Sequence, residues 1–559
     1  MALETASPAA GPPDAAGRPT RRPEAFANWL LGRPLSALVG LWCLARLGSW
    51  IPSYLTRPWF IDHEHFAILA QSWDAGLAPY TGQATNQFPG EIYVFWALGK
   101  LFGWGNTTAF YAFDAGLVVA FAALLVAWSI REFGRALYGL LGLAAFLGYY
   151  LAADFQVAGQ REWHATFLAV ASLLALRLGR GWPSLATSAV AFGLALVFRP
   201  QVVLLFPGIV LALLSREPDP DRPRAGALLG KVIAWGLIVT AAFGAGLIPL
   251  AAHGLVDDLF RLATTPYRLD AEGLPRFSGK VLRLLLLCFE NPEYLLIPAA
   301  VLLLSCGERG ARRATSWAVA VAMLGLTLYQ VISPIPHRYY HIPARAMLGV
   351  GVACLAWQLR TRERAADLAL VGVLLAVFAA GLDLKPTYAS RDYGIVGLRQ
   401  LRSGGLPVDP VPGQVDFEPY TWPDLRDAIL HLRQTTDPTT PVASLVYSKT
   451  ALLSMVPRRS AIPVDYVAFW WFRDRPSLEK DLAALREARD AVVVWDPSAK
   501  ETKIPEFRDL FEAVRRDFVF DARFGPIEVW RRRDGAGGTT APAPAPAPPG
   551  PEGGPTTGG

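Results

Sequence analysis

The chain has 559 residues, 52% of them hydrophobic, and a mean hydropathy of +0.29. Apolar runs of membrane-spanning length exclude an ordinary soluble domain and mark an integral membrane protein. The net charge of +6 does not imply nucleic acid as a partner, because the arginines gather in short clusters between apolar runs, as topogenic charges do.

Residues 1–33 are rich in Pro, Ala and Arg and lack the apolar core of a cleavable signal peptide. They are expected to form a disordered cytoplasmic tail, with the first span directing insertion. Apolar runs follow at 35–55, 108–129, 136–152, 163–178, 184–198, 200–214, 229–251, 294–306, 315–333, 341–358 and 367–384. They predict a polytopic α-helical membrane protein with about eleven transmembrane helices over 34–384. The pair at 184–214 reads as two spans hinged at Arg199-Pro200 or as one kinked helix, and the hinge brings the basic clusters at 131–135, 177–180, 216–231, 309–313 and 360–364 to one side. The positive-inside rule makes that side cytoplasmic, at the plasma (inner) membrane, and places the long loop 56–107 and everything after 385 on the extracytoplasmic face.

Within 385–534, LRDAILHL, LEKDLAALREA and FRDLFEAVRRDF read as helices, and PVASLVY, DAVVVWD and IEVWRRR as strands. A small extracytoplasmic α/β domain is expected there. Residues 535–559 are too poor in apolar side chains to fold. Cys43, Cys288, Cys306 and Cys354 lie in or beside apolar stretches without metal spacing, so buried positions are expected rather than a disulfide framework.

The first titratable cluster is FIDHEHF at 60–66, directly after the first span. Asp62 and Glu64 are catalytic candidates, since clustered ionisable groups at membrane depth are functional by default. His63, His65, Tyr80 and Asn86 of the same aromatic-rich loop are substrate-binding candidates. His63, Glu64 and His65 could meet a divalent metal, but a spacing of two with no further ligand set argues against a required one. The second cluster is GQREWHATF at 159–167, where Gln160, Arg161, Glu162 and His164 stand at the outer end of a helix. The third is SPIPHRYYHIPARAM at 333–347. Its His337, Arg338, Tyr340 and His341 offer donors to a phosphate head group, with Arg345 beside them and Arg199 as a related candidate at another outer turn. GLPRFSGKV at 273–281 lacks the glycine spacing of a phosphate-binding loop, and no nucleotide fingerprint is present.

The acidic pair after the first span, the alanine-rich stretch at 67–70, Gly-x-x-Pro-Tyr at 76–80 and Pro-Gly-x-Ile-Tyr at 89–93 resemble the glycosyltransferase C superfamily. More narrowly, they resemble the bacterial relatives of protein O-mannosyltransferases and lipid A aminoarabinose transferases. The resemblance is strongest over 56–215, and this chain has Asp-x-Glu where the family often has adjacent acids. It implies an outward-facing cleft, a polyprenyl-phosphate sugar donor and Asp62 as the favoured base, while the altered spacing leaves Glu64 open as the alternative. It also implies Glu162 as the second outer acid, with Asp154 as its competitor. The acceptor, whether protein, lipid or polysaccharide, is not implied, and no cofactor is required. The expectation is therefore a membrane glycosyltransferase. The alternatives are a transporter or flippase for lipid-linked sugars, or a non-catalytic envelope scaffold.

Overall fold

The structure is a computed structural model that describes residues 33–59, 61–81, 85, 87–153, 157–179, 181–216, 225–269, 279, 282, 311–332, 338–361, 391–403, 421–445, 456, 458, 461–462, 475–498 and 508–533. Helices occupy the apolar runs that fall in these residues. They are α1 (Arg33–Tyr54), α2 (Ile61–Asp74), α3 (Gly90–Phe102), α4 (Thr107–Phe133), α5 (Ala136–Tyr150), α6 (Arg161–Leu178) and α7 (Trp182–Phe198). A 3-10 turn at Pro200–Leu205 leads to α8 (Phe206–Leu214), α9 (Ala225–Ala251) and α10 (Val256–Leu269). Then come α11 (Ala311–Ile332), a 3-10 turn at Arg338–His341, α12 (Ile342–Thr361) and α13 (Arg391–Ser403). The runs expected at 294–306 and 367–384 lie outside the described residues.

Among the described residues, Arg33–Tyr54, Thr107–Phe133 and Ala225–Ala251 are long and apolar enough to cross a membrane. Leu38, Leu41 and Leu44 on α1 and Leu229, Ile233 and Leu237 on α9 are exposed, as side chains facing lipid would be. Local chemistry sets several helix ends. Asn106 caps α4 by accepting the Ala109 amide at 3.0 Å, and Gly134 ends it in the left-handed conformation at φ 72°. The apolar run at 200–214 is built from a 3-10 turn followed by a nine-residue helix, with Pro200 and Pro207 each opening a segment. Helices approach closely where side chains are absent: a Cβ on Gly349 of α12 would lie 2.9 Å from the Gly142 carbonyl of α5.

After α14 (Trp422–Thr435) come β1 (Val442–Leu445), α15 (Arg475–Glu487), β2 (Val492–Trp495), α16 (Arg508–Asp517), β3 (Phe518–Phe524) and β4 (Ile527–Arg532). The sheet order is β1-β2-β4-β3, with β1 parallel to β2 and the other pairs antiparallel. Val492 and Val494 belong to the same buried cluster as Ile429 and Leu432 of α14, while Val493 and Trp495 pack with Phe511 and Val514 of α16. Burial on both faces explains why VVVW is continuously apolar. β3 departs from the expectation: the helix predicted to reach Phe518 stops at Asp517, and FVFDARF continues as a half-exposed strand whose mixed polarity conceals it.

Candidate active site

The site forms where the start of α6 meets the end of α7 and the turn before α12. Arg199 precedes a proline, which disfavours helical geometry, so the residue is extended at φ −155° and ψ 102° and leaves the axis of α7. Its side chain reaches Glu162 in the first turn of α6, with Nε 2.9 Å from Oε1. The same Nε–H lies 2.9 Å from the Tyr329 hydroxyl, and Nη2 donates to the Tyr340 hydroxyl at 3.0 Å. The guanidinium also lies over the Tyr340 ring, 5.5 Å from its centroid.

Arg161 approaches the same carboxylate oxygen, its Nε 3.3 Å from Oε1. Its Nη1 donates to Gln87 Oε1, and its guanidinium covers Phe66 at 5.4 Å. Glu162 is thus buried against two cations through one oxygen, while Oε2 has no partner among the described residues. Asp62 is half-buried in the first turn of α2. Its charge and that of Glu162 both act on Tyr339 and Tyr340, whose hydroxyls are held above the ordinary phenol range chiefly by burial. Both acids thus lie within electrostatic range of this tyrosine pair.

No family model matches the chain, and no curated protein matches it. Solved structures do. ArnT from Cupriavidus metallidurans bound to undecaprenyl phosphate superposes with a TM-score of 0.53 at 14% identity, covering 89% of this chain and 98% of that one. The apo state of the same protein gives 0.50 at 15% identity, covering 92% and 100%. The chain folds like ArnT. This is the glycosyltransferase C fold that the sequence resemblance implied.

Within this ArnT-like frame, the candidates read from the sequence separate into two groups. Arg161, Glu162, Arg199 and Tyr340 converge on the region just described, with Asp62 in electrostatic range of it. Others support it from behind. Tyr80, at the strained φ of 71°, donates to the Gln87 carbonyl at 2.7 Å, and the Gln87 amide donates to Thr85 Oγ1 at 3.2 Å. His65 Nε2 lies 3.1 Å from the same Thr85 oxygen, so His65 and Tyr80 brace the residue that holds Arg161. Glu64 is buried on α2, and Gln160 is the extended residue before α6, its side chain forming no cap. His341 is half-buried in the turn before α12, and Arg345 lies over Tyr149 at 5.1 Å. Asn86, Asp154, His337 and the side chain of Arg338 lie outside the described residues.

His164 points elsewhere. Its Nδ1 is 2.8 Å from Glu91 Oε2 and its Nε2 3.0 Å from Asp114 Oδ1, so both ring nitrogens are engaged in a buried array. Asp114 Oδ2 also accepts from the Tyr54 and Tyr150 hydroxyls at 2.6 and 2.8 Å. Neither Glu91 nor Asp114 was singled out from the sequence, although an acid inside the run at 108–129 was a usable signal. Among the described residues, no group of three His, Cys, Asp or Glu side chains could hold a metal ion. Cys43 and Cys354 are free and buried.

Proposed function

We propose that the chain is a membrane glycosyltransferase that moves a sugar from a polyprenyl-phosphate donor to an acceptor hydroxyl on the extracytoplasmic face. The observation that carries this reading is the meeting of two guanidiniums at one oxygen of Glu162, with Arg199 also held by the Tyr329 and Tyr340 hydroxyls. Such a site holds a phosphate and the charge that grows on it during departure. The fold is consistent with this ligand, since the ArnT neighbour was crystallised with undecaprenyl phosphate.

In this reading, the acceptor hydroxyl attacks the anomeric carbon as the bond from that carbon to the phosphate oxygen breaks. Asp62 takes the hydroxyl proton, and polyprenyl phosphate leaves as an anion that needs no protonation. Arg199 and Arg161 hold that anion, while Glu162 keeps both guanidiniums aimed at it. The reaction needs no cofactor, because the arginines supply the charge that a metal would otherwise provide.

The test is release of polyprenyl phosphate by the purified protein across a panel of polyprenyl-phosphate sugars. Turnover is expected with at least one donor, unchanged within about twofold by a chelator. Asp62→Asn should fold normally and lose at least about a hundredfold in rate, since an amide cannot take the proton. Near-normal transfer by that variant would remove Asp62 from the role.

A further inference from the structure

Gly159 ends the turn that carries the chain into α6, and its peptide groups are held on both sides. Its N–H donates to the Tyr150 hydroxyl at 3.0 Å, and its carbonyl lies 3.0 Å from His63 Nε2. A carbonyl only accepts, so the His63 proton sits on Nε2. The residue has φ 75°, and a Cβ there would stand 3.1 Å from both the Phe110 ring and the Tyr54 hydroxyl. Only glycine fits without strain or displacement.

The two bonds lead to the two acids of the site. His63 directly follows Asp62 on α2, and Glu162 stands three residues beyond Gly159 on α6. Tyr150 is anchored in turn, because its hydroxyl donates to Asp114 Oδ2 at 2.8 Å while His164 holds the other oxygen of Asp114. Tyr54 donates to the same Asp114 oxygen at 2.6 Å, with no bond to Gly159. Two tyrosines thus share one carboxylate oxygen and bear on each other, but the glycine N–H is donated to Tyr150 and not to Tyr54.

We propose that Tyr150, Gly159 and His63 form a positioning chain that fixes the separation of Asp62 from Glu162, and so the reach of the base to the acceptor hydroxyl. This rests on the reading of those acids as the transferase site. Positioning acts on the chemical step more than on donor affinity, and a misplacement of about 1 Å can cost on the order of a hundredfold in rate. Tyr150 and His63 do not touch the reacting atoms in this proposal.

The experiment compares Tyr150→Phe with Tyr54→Phe in the full-length chain, by transfer kinetics and by amide hydrogen exchange over 157–160 and 61–66. Tyr150→Phe should lower kcat by about tenfold to a hundredfold, leave KM for the donor within about twofold, and speed exchange in both segments. Tyr54→Phe should leave kcat and exchange within about twofold, whatever it does to the melting temperature. His63→Leu breaks the chain from the other side and should reproduce the kcat loss if Tyr150→Phe folds poorly. Equal losses in the two tyrosine variants, or unchanged exchange in Tyr150→Phe and His63→Leu, would overturn the proposal. If the unmodified protein transfers from no donor, the functional reading falls separately, and the exchange comparison alone decides whether the chain holds the two segments together.

Discussion

At the last turn of α6, Arg177 donates Nε and Nη2 to the two oxygens of Glu132 at 3.0 and 2.7 Å, and Thr315 adds a third bond at 3.2 Å. Its Nη1 is taken by Ser215 Oγ at 2.6 Å. At the first turn of the same helix, Glu162 faces two arginines through one oxygen and leaves the other empty among the described residues. The residue types are the same and the helix is shared, yet one end is a one-to-one fork and at the other two guanidiniums meet a single carboxylate oxygen. A balanced fork stabilises the packing of four helices. Guanidiniums that are not closed into such a fork keep donors with which an anion could be met, as the proposed function requires.

The contrast can be broken most directly at the carboxylates. Glu162→Gln should reduce transfer by at least about a hundredfold, because the guanidiniums lose the charge that aims them. Next in size, Arg199→Ala should weaken donor binding by about tenfold to a hundredfold, the worth of a charge-assisted bond, and Lys should restore only part of it. Transfer assays check the first, and titration with labelled donor checks the second. Glu132→Gln should do the opposite: a loss of roughly 1.5 kcal/mol in unfolding experiments, with kcat per folded molecule unchanged within about twofold. A rate loss at Glu132 matching that at Glu162 would erase the distinction.

The smallest effect concerns pH. Burial holds the His63 imidazole down to about 4, against upward pulls from Asp62, the Gly159 carbonyl and Asp114 and with a further downward push from His164. Its ordinary value is near 6.5, so between about pH 6.5 and 4 the unfolded chain binds a proton that the folded chain refuses. Stability contributed by neutral His63 is complete above that window and falls as the pH drops through it, by about 1.4 kcal/mol per pH unit. Melting temperatures at about pH 7.5 and about pH 5.5 should separate for the natural chain and converge for His63→Gln. Equal separation in both would assign the effect to another group.

Much of the helical frame was legible because apolar runs of that length have few other uses, and α4, α6 and α9 lie over the runs expected for them. The Arg199-Pro200 hinge was legible for a local reason, since a residue before proline resists the helix. The convergence of Arg161, Glu162 and Arg199 was only half visible. Each stood at a helix end, but nothing in their spacing said that α6 and α7 would bring them to a single carboxylate oxygen. Asp114 and Glu91 were hidden differently, one inside an apolar run and the other inside Pro-Gly-x-Ile-Tyr, because their partners lie dozens of residues away. β3 was obscured by polarity, as an edge strand buries only part of its length.

One helix contact constrains the topology without any count of spans. Gly394 of α13 lies so close to α1 that a Cβ there would stand 2.8 Å from the Ser49 carbonyl, and Gly397 presses on the backbone at Pro52. These are the last turns of α1, immediately before the loop that bears Asp62. The two helices run in the same direction there, so if α1 crosses the membrane the ends of α1 and α13 are expected at one surface. An even number of crossings between them is the expectation that follows. Reporters placed in the loop after α1 and just after α13 should read the same compartment, and opposite readings would mean that a crossing has been miscounted by one.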